Sequence, residues 1–278
     1  MWRAISCSRL VPALLAPQTV QVQILSRHRH ACNLGTAAGD LIALVSVRYG
    51  NGPFHLVVPD ALFTAITLDT IVTWRDGALH FTQGCLTLAA TALWDPQLPH
   101  LHRPVTTAQV ALFANLLHDH GPSPLIQGDG PLQQRAGQAI ASLNAGIRRN
   151  SLAEIEQGAF ALAGLGPGLT PAGDDFLVGL LAALHSNQSR YANNLMTTQQ
   201  LCTHIAQVAM VRTTKLSGAW LRYAGQGYFG EPWHDLIDAL NDGGKNTMEQ
   251  AVWRILQSGA SSGADALTGF LAACALFP

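Results

Sequence analysis

The chain has 278 residues, 48% of them hydrophobic and only 12% charged, with 16 Lys+Arg against 17 Asp+Glu for a formal net charge of −1. That length supports one large or two modest domains with a sizeable core, and the charged share is far below the roughly 25% usual for globular proteins. So few charges imply much surface buried between domains or subunits. The balance of sign excludes the clustered positive charge that a nucleic-acid footprint needs, and the single short basic run, Arg27–His30, reads as a solvated turn.

Five cysteines are scattered, odd in number and never in a C-x-x-C pair, which points to a reducing compartment without disulfides or a zinc site. The apolar patch Leu10–Ala16 is cut by Pro12 and Pro17, so no signal peptide is expected. Uninterrupted apolar runs stay below 18 residues, so no membrane span is expected and the cytoplasm is the default location.

The first hundred residues read as strands. Thr19–Leu25 alternates with period two, and Leu41–Val47 is rich in branched aliphatics. Gly50-Asn-Gly-Pro53 then leads to Phe54–Val58, a pattern that predicts a hairpin. Thr70–Trp74 and Ala78–Phe81 flank Asp76-Gly77, a strong hairpin turn, and Cys85–Leu93 predicts one further strand. Three prolines between Asp95 and Pro104 mark a boundary. Beyond it the period becomes helical, over 107–118, 132–147, 152–162, 169–184, 198–212, 218–224, 234–240, 247–257 and 264–276. The expected architecture is α+β: a β-rich domain over 1–104, then an α-helical domain over 105–278 that carries an internal helix repeat.

That repeat aligns Gly173–Ala183 with Gly263–Ala273 without gaps, identical at seven of eleven positions and ninety residues apart. Gly179 and Gly269 fall mid-helix, where glycine costs about 1 kcal/mol relative to alanine. The repetition predicts a pseudo-symmetric pair of helices crossing at these glycines, with Asp175 and Asp265 close together.

Residues 164–173 hold four glycines and two prolines, which makes them a shaped loop opening a helix. Free backbone amides at a helix N-terminus suit an anion, so Gly166 and Gly168 are candidate binding positions with the hydroxyl of Thr170. The second loop offers Ser261, Ser262 and Gly263 in the same role. Asp174 and Asp175 would repel a bare anion, so substrate-amide recognition, a divalent cation such as magnesium, or general acid–base chemistry are their candidate roles, shared with Asp265. Ser262-Gly-Ala-Asp265 also fits a capping box, whereas Ala172, the equivalent of Ser262, has no oxygen to cap with. Arg212 and Arg222 stand out as carboxylate or phosphate partners because cations are scarce. No nucleophile elbow, phosphate-binding P-loop or dinucleotide fingerprint is present.

The motifs Gly164–Asp175, Leu221–Phe229 and Ser262–Gly269 resemble those of the AllH-type subunit of oxamate carbamoyltransferase. The resemblance covers mainly the last 120 or so residues. It implies a role in allantoin and purine breakdown, in which oxalurate and phosphate give oxamate and carbamoyl phosphate. It further implies a complex with an FdrA-type subunit and further carbamoyltransferase subunits. On this reading Asp174, Asp175 and Asp265 are catalytic, and the loops with Arg222 hold a small ligand bearing carboxylate and amide groups. The chain departs from the family pattern at Gly173 and at Ala260-Ser261, where histidine and His-Thr are expected, which points to a variant substrate. A scaffolding or ligand-binding subunit without catalysis is the alternative.

Overall fold

A computed structural model describes residues 1–15, 19–187 and 196–276; Pro17 lies outside them. The chain divides into two compact units, Met1–Pro96 and Gln97–Pro278.

The first unit is a curled sheet of ten strands: β1 (Trp2–Arg3), β2 (Ser6–Ser8), β3 (Thr19–Arg27), β4 (Ala31–Gly35), β5 (Leu41–Ser46), β6 (His55–Val58), β7 (Val72–Arg75), β8 (Ala78–Phe81), β9 (Gly84–Thr87) and β10 (Ala92–Trp94), in the order β1-β9-β8-β7-β3-β4-β5-β6-β2-β10. Two short helices, α1 (Val11–Leu15) and α2 (Leu62–Ala65), accompany it.

The curl follows from the pairing. Thr19–Val22 pair with β7, whereas Gln23–Arg27 pair with β4, and the register shifts between Ile24 and Ser26. Such a bulge bends a strand and lets it serve two sheets. At the ends of the order, adjacent residues bridge the gap. Ala4 N–H donates to Thr87 O at 3.1 Å, and Ile5 N–H donates to Val57 O at 2.8 Å. The sheet therefore closes around Leu34, Ile42, Leu44, Leu56, Leu62, Ile66, Val72 and Leu79, all buried.

Three local expectations change. The strands 41–46 and 55–58 are neighbours but parallel, with Ala43 opposite His55, so they form no hairpin. A 3₁₀ turn at Val47–Tyr49 and the positive φ of Gly50 (65°) carry the chain back to the start of β5, where Phe54 O accepts from Ala43 N at 2.9 Å. The strand predicted over 85–93 is broken in two by a turn with Ala90 at φ 54°. Of the basic run, His28–His30 form the expected turn between β3 and β4, whereas Arg27, exposed at the end of β3, donates to Ile66 O (2.7 Å) and Phe63 O (2.6 Å) and so anchors the end of α2. The Asp76-Gly77 turn forms as expected, with Arg75 opposite Ala78 and both turn residues at positive φ.

The second unit consists, among the described residues, of α3 (Thr107–His120), α4 (Pro131–Arg149), α5 (Leu152–Leu162), α6 (Ala172–Ser186), α7 (Thr198–Met210), α8 (Lys215–Gly225), α9 (Glu231–Asp242), α10 (Lys245–Leu256) and α11 (Ser262–Cys274). The segment from Gln97 is strapped to this unit: Leu98 N–H donates to Gly227 O, Leu101 N–H to Ser186 O and His102 N–H to Asn241 Oδ1. None of the described helices is long and apolar enough to cross a membrane.

α6 and α11 are apolar nearly all round, the pattern of core helices. They cross where the repeat places glycine. A Cβ on Gly179 would lie 1.7 Å from Ala266 O, and one on Gly269 would lie 1.9 Å from Phe176 O. Residues 176 and 266 are themselves equivalent in the repeat, so the two contacts are mirror partners. Gly173 and Gly263 repeat the device against the helices before them, meeting Leu162 O at 2.1 Å and Ile255 O at 2.0 Å.

We expect Gly179→Ala and Gly269→Ala each to destabilise the protein by about 3 kcal/mol, through overpacking against a backbone that cannot step aside. The double variant should cost less than the two single losses together, since the first substitution already opens the shared crossing. Denaturant unfolding of the four proteins checks both expectations.

Candidate active site at two helix N-termini

Gly164, Gly166 and Gly168 have φ of 70°, 110° and 103°, a region that L side chains avoid, which is why this stretch loops rather than extends. Three hydrogen bonds pin it. Gly164 N–H donates to Asp174 Oδ1 (2.9 Å), Gly173 N–H to Leu165 O (2.9 Å), and Thr214 Oγ1 to Leu169 O (2.6 Å). Among the described residues, no backbone acceptor takes the amides of Gly166, Gly168, Leu169 and Thr170. Around Gly168 an added Cβ would meet nothing nearer than Thr170 O at 4.0 Å, so the loop is open there.

Asp175 and Asp265 occupy the same position, the fourth residue, of α6 and α11. The loops before the two helices meet directly, with Thr170 Oγ1 2.9 Å from Ser262 Oγ. The charge of Asp265 acts on Asp175, and so does the hydroxyl of Ser262. The crossing thus brings together Thr170, Asp174, Asp175, Ser261, Ser262 and Asp265, as the repeat predicts.

The three acids differ in their surroundings. Asp174 is fully buried; Gly164 N–H serves one oxygen, the Thr213 hydroxyl the other, and the Ser217 hydroxyl adds support. Burial raises its pKa while these donors pull it back. Its carboxylate is thereby committed to tying the glycine loop to the start of α8. Asp265 is also fully buried, with Oδ1 taking the Ser123 hydroxyl and Oδ2 lacking a hydrogen-bond partner. Burial raises its pKa too, against the hydroxyls of Ser123 and Ser261 and the amide of Leu125.

Asp175 is the least supported. Its Oδ2 is buried without a hydrogen-bond partner. Burial first, then the charges of Asp265 and Asp174, push its pKa from 3.8 up to about 7, although Ser262 and Thr170 oppose the shift. A first-turn position favours the carboxylate through the helix dipole by only about 0.3–1 kcal/mol. Burial beside two acids outweighs it.

The expected capping box at Ser262 is absent. The N-cap of α11 is Ser261, and Asp265 N–H bonds to Ser261 O at 2.9 Å rather than to a side chain. Ser262 turns to Thr170 and Asp265 to Ser123, so both side chains serve the junction of the loops. Gly263 has a packing reason, its contact with Ile255 O. Arg222 stands on the exposed side of the last turn of α8, its guanidinium 6.0 Å from the Tyr223 ring. The bonds from α8 to the glycine loop come from its first turn, about 10 Å away along the axis. Arg212 is closer: Gly164 packs against its carbonyl, while its guanidinium stacks 4.0 Å over Phe160.

Sequence pattern does not single out Ser123, Thr213 and Ser217. Thr213-Thr214 precedes a helical segment, and Thr214 does cap α8 by accepting from Ser217 N–H (3.1 Å), so the cap signal could have led to its neighbours. Ser123, between two prolines, carries no such signal.

An acid whose folded-state pKa stands above its unfolded value adds stability while protonated and loses it on ionising. The contribution of Asp175 therefore falls as pH rises from 3.8 to about 7. Asp175→Asn should accordingly raise the unfolding midpoint at about pH 8 and change it little at about pH 4. Asp174→Asn should lower it at both, by the equivalent of about 2–3 kcal/mol, because it spoils a filled set of donors. Thermal unfolding at the two pH values separates them.

A family model described as "Oxamate carbamoyltransferase subunit AllH" matches residues 162–274, the stretch that holds both loops, α6 and α11. A second, described as "AllH family N-terminal domain", matches residues 3–93, which is nearly all of the curled sheet. No solved structure matches the chain. With both units matched and the paired loops inside the longer match, the chain belongs to the AllH family of oxamate carbamoyltransferase subunits.

Proposed function

We propose that the chain binds the small carboxylate–amide ligand of an oxamate carbamoyltransferase where the N-termini of α6 and α11 meet. The reaction would convert oxalurate and phosphate to oxamate and carbamoyl phosphate in allantoin and purine breakdown, with an FdrA-type subunit and further subunits as partners. One observation carries the reading: two carboxylate oxygens, Asp175 Oδ2 and Asp265 Oδ2, are buried without donors beside a loop whose amides lack backbone acceptors.

Oxamate has complementary ends. Its carboxylate suits the amides around Gly166 and Gly168 with the hydroxyl of Thr170, and its N–H groups suit acids that lack donors. Backbone amides held by a rigid loop also stabilise an oxyanion that develops during acyl transfer. Asp174 supplies that rigidity rather than ligand contact.

The scaffolding alternative draws on one specific observation, the packing role of Gly173 and Gly263. It predicts that the two loops can change without loss of ligand affinity.

Calorimetric titration of the purified chain with oxamate, carbamoyl phosphate, phosphate and magnesium decides between them. We expect oxamate to bind, with Asp265→Asn and Thr170→Ala each weakening it by about tenfold, the effect of roughly one lost hydrogen bond. Absence of heat with every ligand, together with unchanged turnover of an Asp265→Asn complex, would favour the scaffold.

A further inference from the structure

The three acids at the crossing differ in one respect that bears on chemistry. Donors fill Asp174 from Gly164, Thr213 and Ser217. Asp265 takes the Ser123 hydroxyl, with Ser261 and the Leu125 amide in support. Asp265 Oδ2 lacks a partner as well, but its carboxylate keeps the direct Ser123 bond on Oδ1. Asp175 Oδ2 has no partner either, and Asp175 alone of the three feels the charge of both other acids. Its neighbours from the loop and from α11 are the hydroxyls of Thr170 and Ser262, and the charged groups that bear on it are Asp265 from α11 and Asp174 from its own helix. When acids share a site, the one that feels the charge of both others and has the weakest set of donors is the one that keeps a proton.

Resting on the functional reading above, we propose that Asp175 is the proton donor to the nitrogen that leaves during carbamoyl transfer, with Asp265 as the fixed anion beside it. In the direction that consumes a phosphate oxyanion, a phosphate oxygen bonds to the carbamoyl carbon. The carbon–nitrogen bond to oxamate breaks and its electron pair stays on nitrogen. That nitrogen takes the proton from Asp175 Oδ2, which leaves oxamate neutral at its amide and Asp175 as a carboxylate. In the opposite direction, the Asp175 carboxylate removes an N–H proton as the amide nitrogen attacks. Amide nitrogen is a poor leaving group without a proton, which is why an acid is needed on that atom and no other. Burial and the adjacent acids hold that proton to about pH 7, well above the ordinary aspartate range.

The test uses the enzyme reconstituted with its other subunits. In the phosphate-consuming direction, kcat should fall as pH rises through about 7. Asp175→Asn should lower kcat about 100-fold or more and flatten that limb, with little change in KM. A carbamoyl donor with a nitrophenolate leaving group departs without a proton, so the same variant should turn it over within a few-fold of wild type. A loss as large on the nitrophenyl donor as on the natural one would overturn the proposal and make Asp175 structural. On the unmodified protein, carbon-13 NMR of labelled aspartate gives an independent reading. A buried carboxyl still protonated near neutrality supports the proposal, and titration of every aspartate near the ordinary value of about 4 overturns it. Oxamate binding by calorimetry separates the failures: binding with an unchanged pH profile in Asp175→Asn removes only the proton donor, whereas absence of binding removes the site.

Discussion

The contact on which the second unit depends is that of two glycines against two carbonyls. Gly179 lies on Ala266 O and Gly269 on Phe176 O, closer than any side chain would permit. The gain is geometric as well as energetic. Because the contacts are related by the repeat, the first turns of α6 and α11 stand in equivalent places about the crossing, and the loops feeding them touch through Thr170 and Ser262. Glycine inside a helix is unfavourable by roughly 1 kcal/mol, and it is used here at the one place where two buried helices must approach backbone to backbone.

Much of this was legible in the chain itself. Helix positions follow from three-to-four spacing, and the repeat pointed to the crossing because glycine recurs mid-helix at matched positions. The parallel pairing of β5 with β6 was not legible: Gly50-Asn-Gly-Pro53 carries the composition of a hairpin turn, and only the 3₁₀ turn at Val47–Tyr49 sends the chain back along its path. The closure of the sheet was hidden for a related reason. It depends on Ala4 and Ile5 bonding to strands far apart in the sheet order, which local alternation cannot reveal. At the site, the sequence identified the acids but not their division of labour. Asp174 and Asp175 are adjacent and chemically identical, and what distinguishes them is which side of α6 each faces. Asp174 meets Thr213 and Ser217, just before and within the first turn of α8; Asp175 meets the second loop.

The loop and the acids make opposite electrostatic demands at one place. Free amides and two helix N-termini give a positive field, and carboxylates within the same first turns give a negative one. A simple anion would gain from one and lose to the other. A ligand with a carboxylate at one end and N–H groups at the other gains from both, and oxamate, named in the description of the matching family, is such a molecule.

Asp174 shows that this fold can give each oxygen of a buried carboxylate a donor. The neighbouring residue, one position along the same helix, is left with a buried oxygen that has no donor. Packing cannot account for the difference, because an asparagine or a serine at 175 would fill similar space without the cost of ionising beside two other acids. Such an arrangement is unfavourable for stability alone, and unfavourable polar burial of this kind is characteristic of sites organised for a ligand or a proton. The glycine crossing makes it sustainable: two helices locked backbone to backbone hold the acid against the second loop.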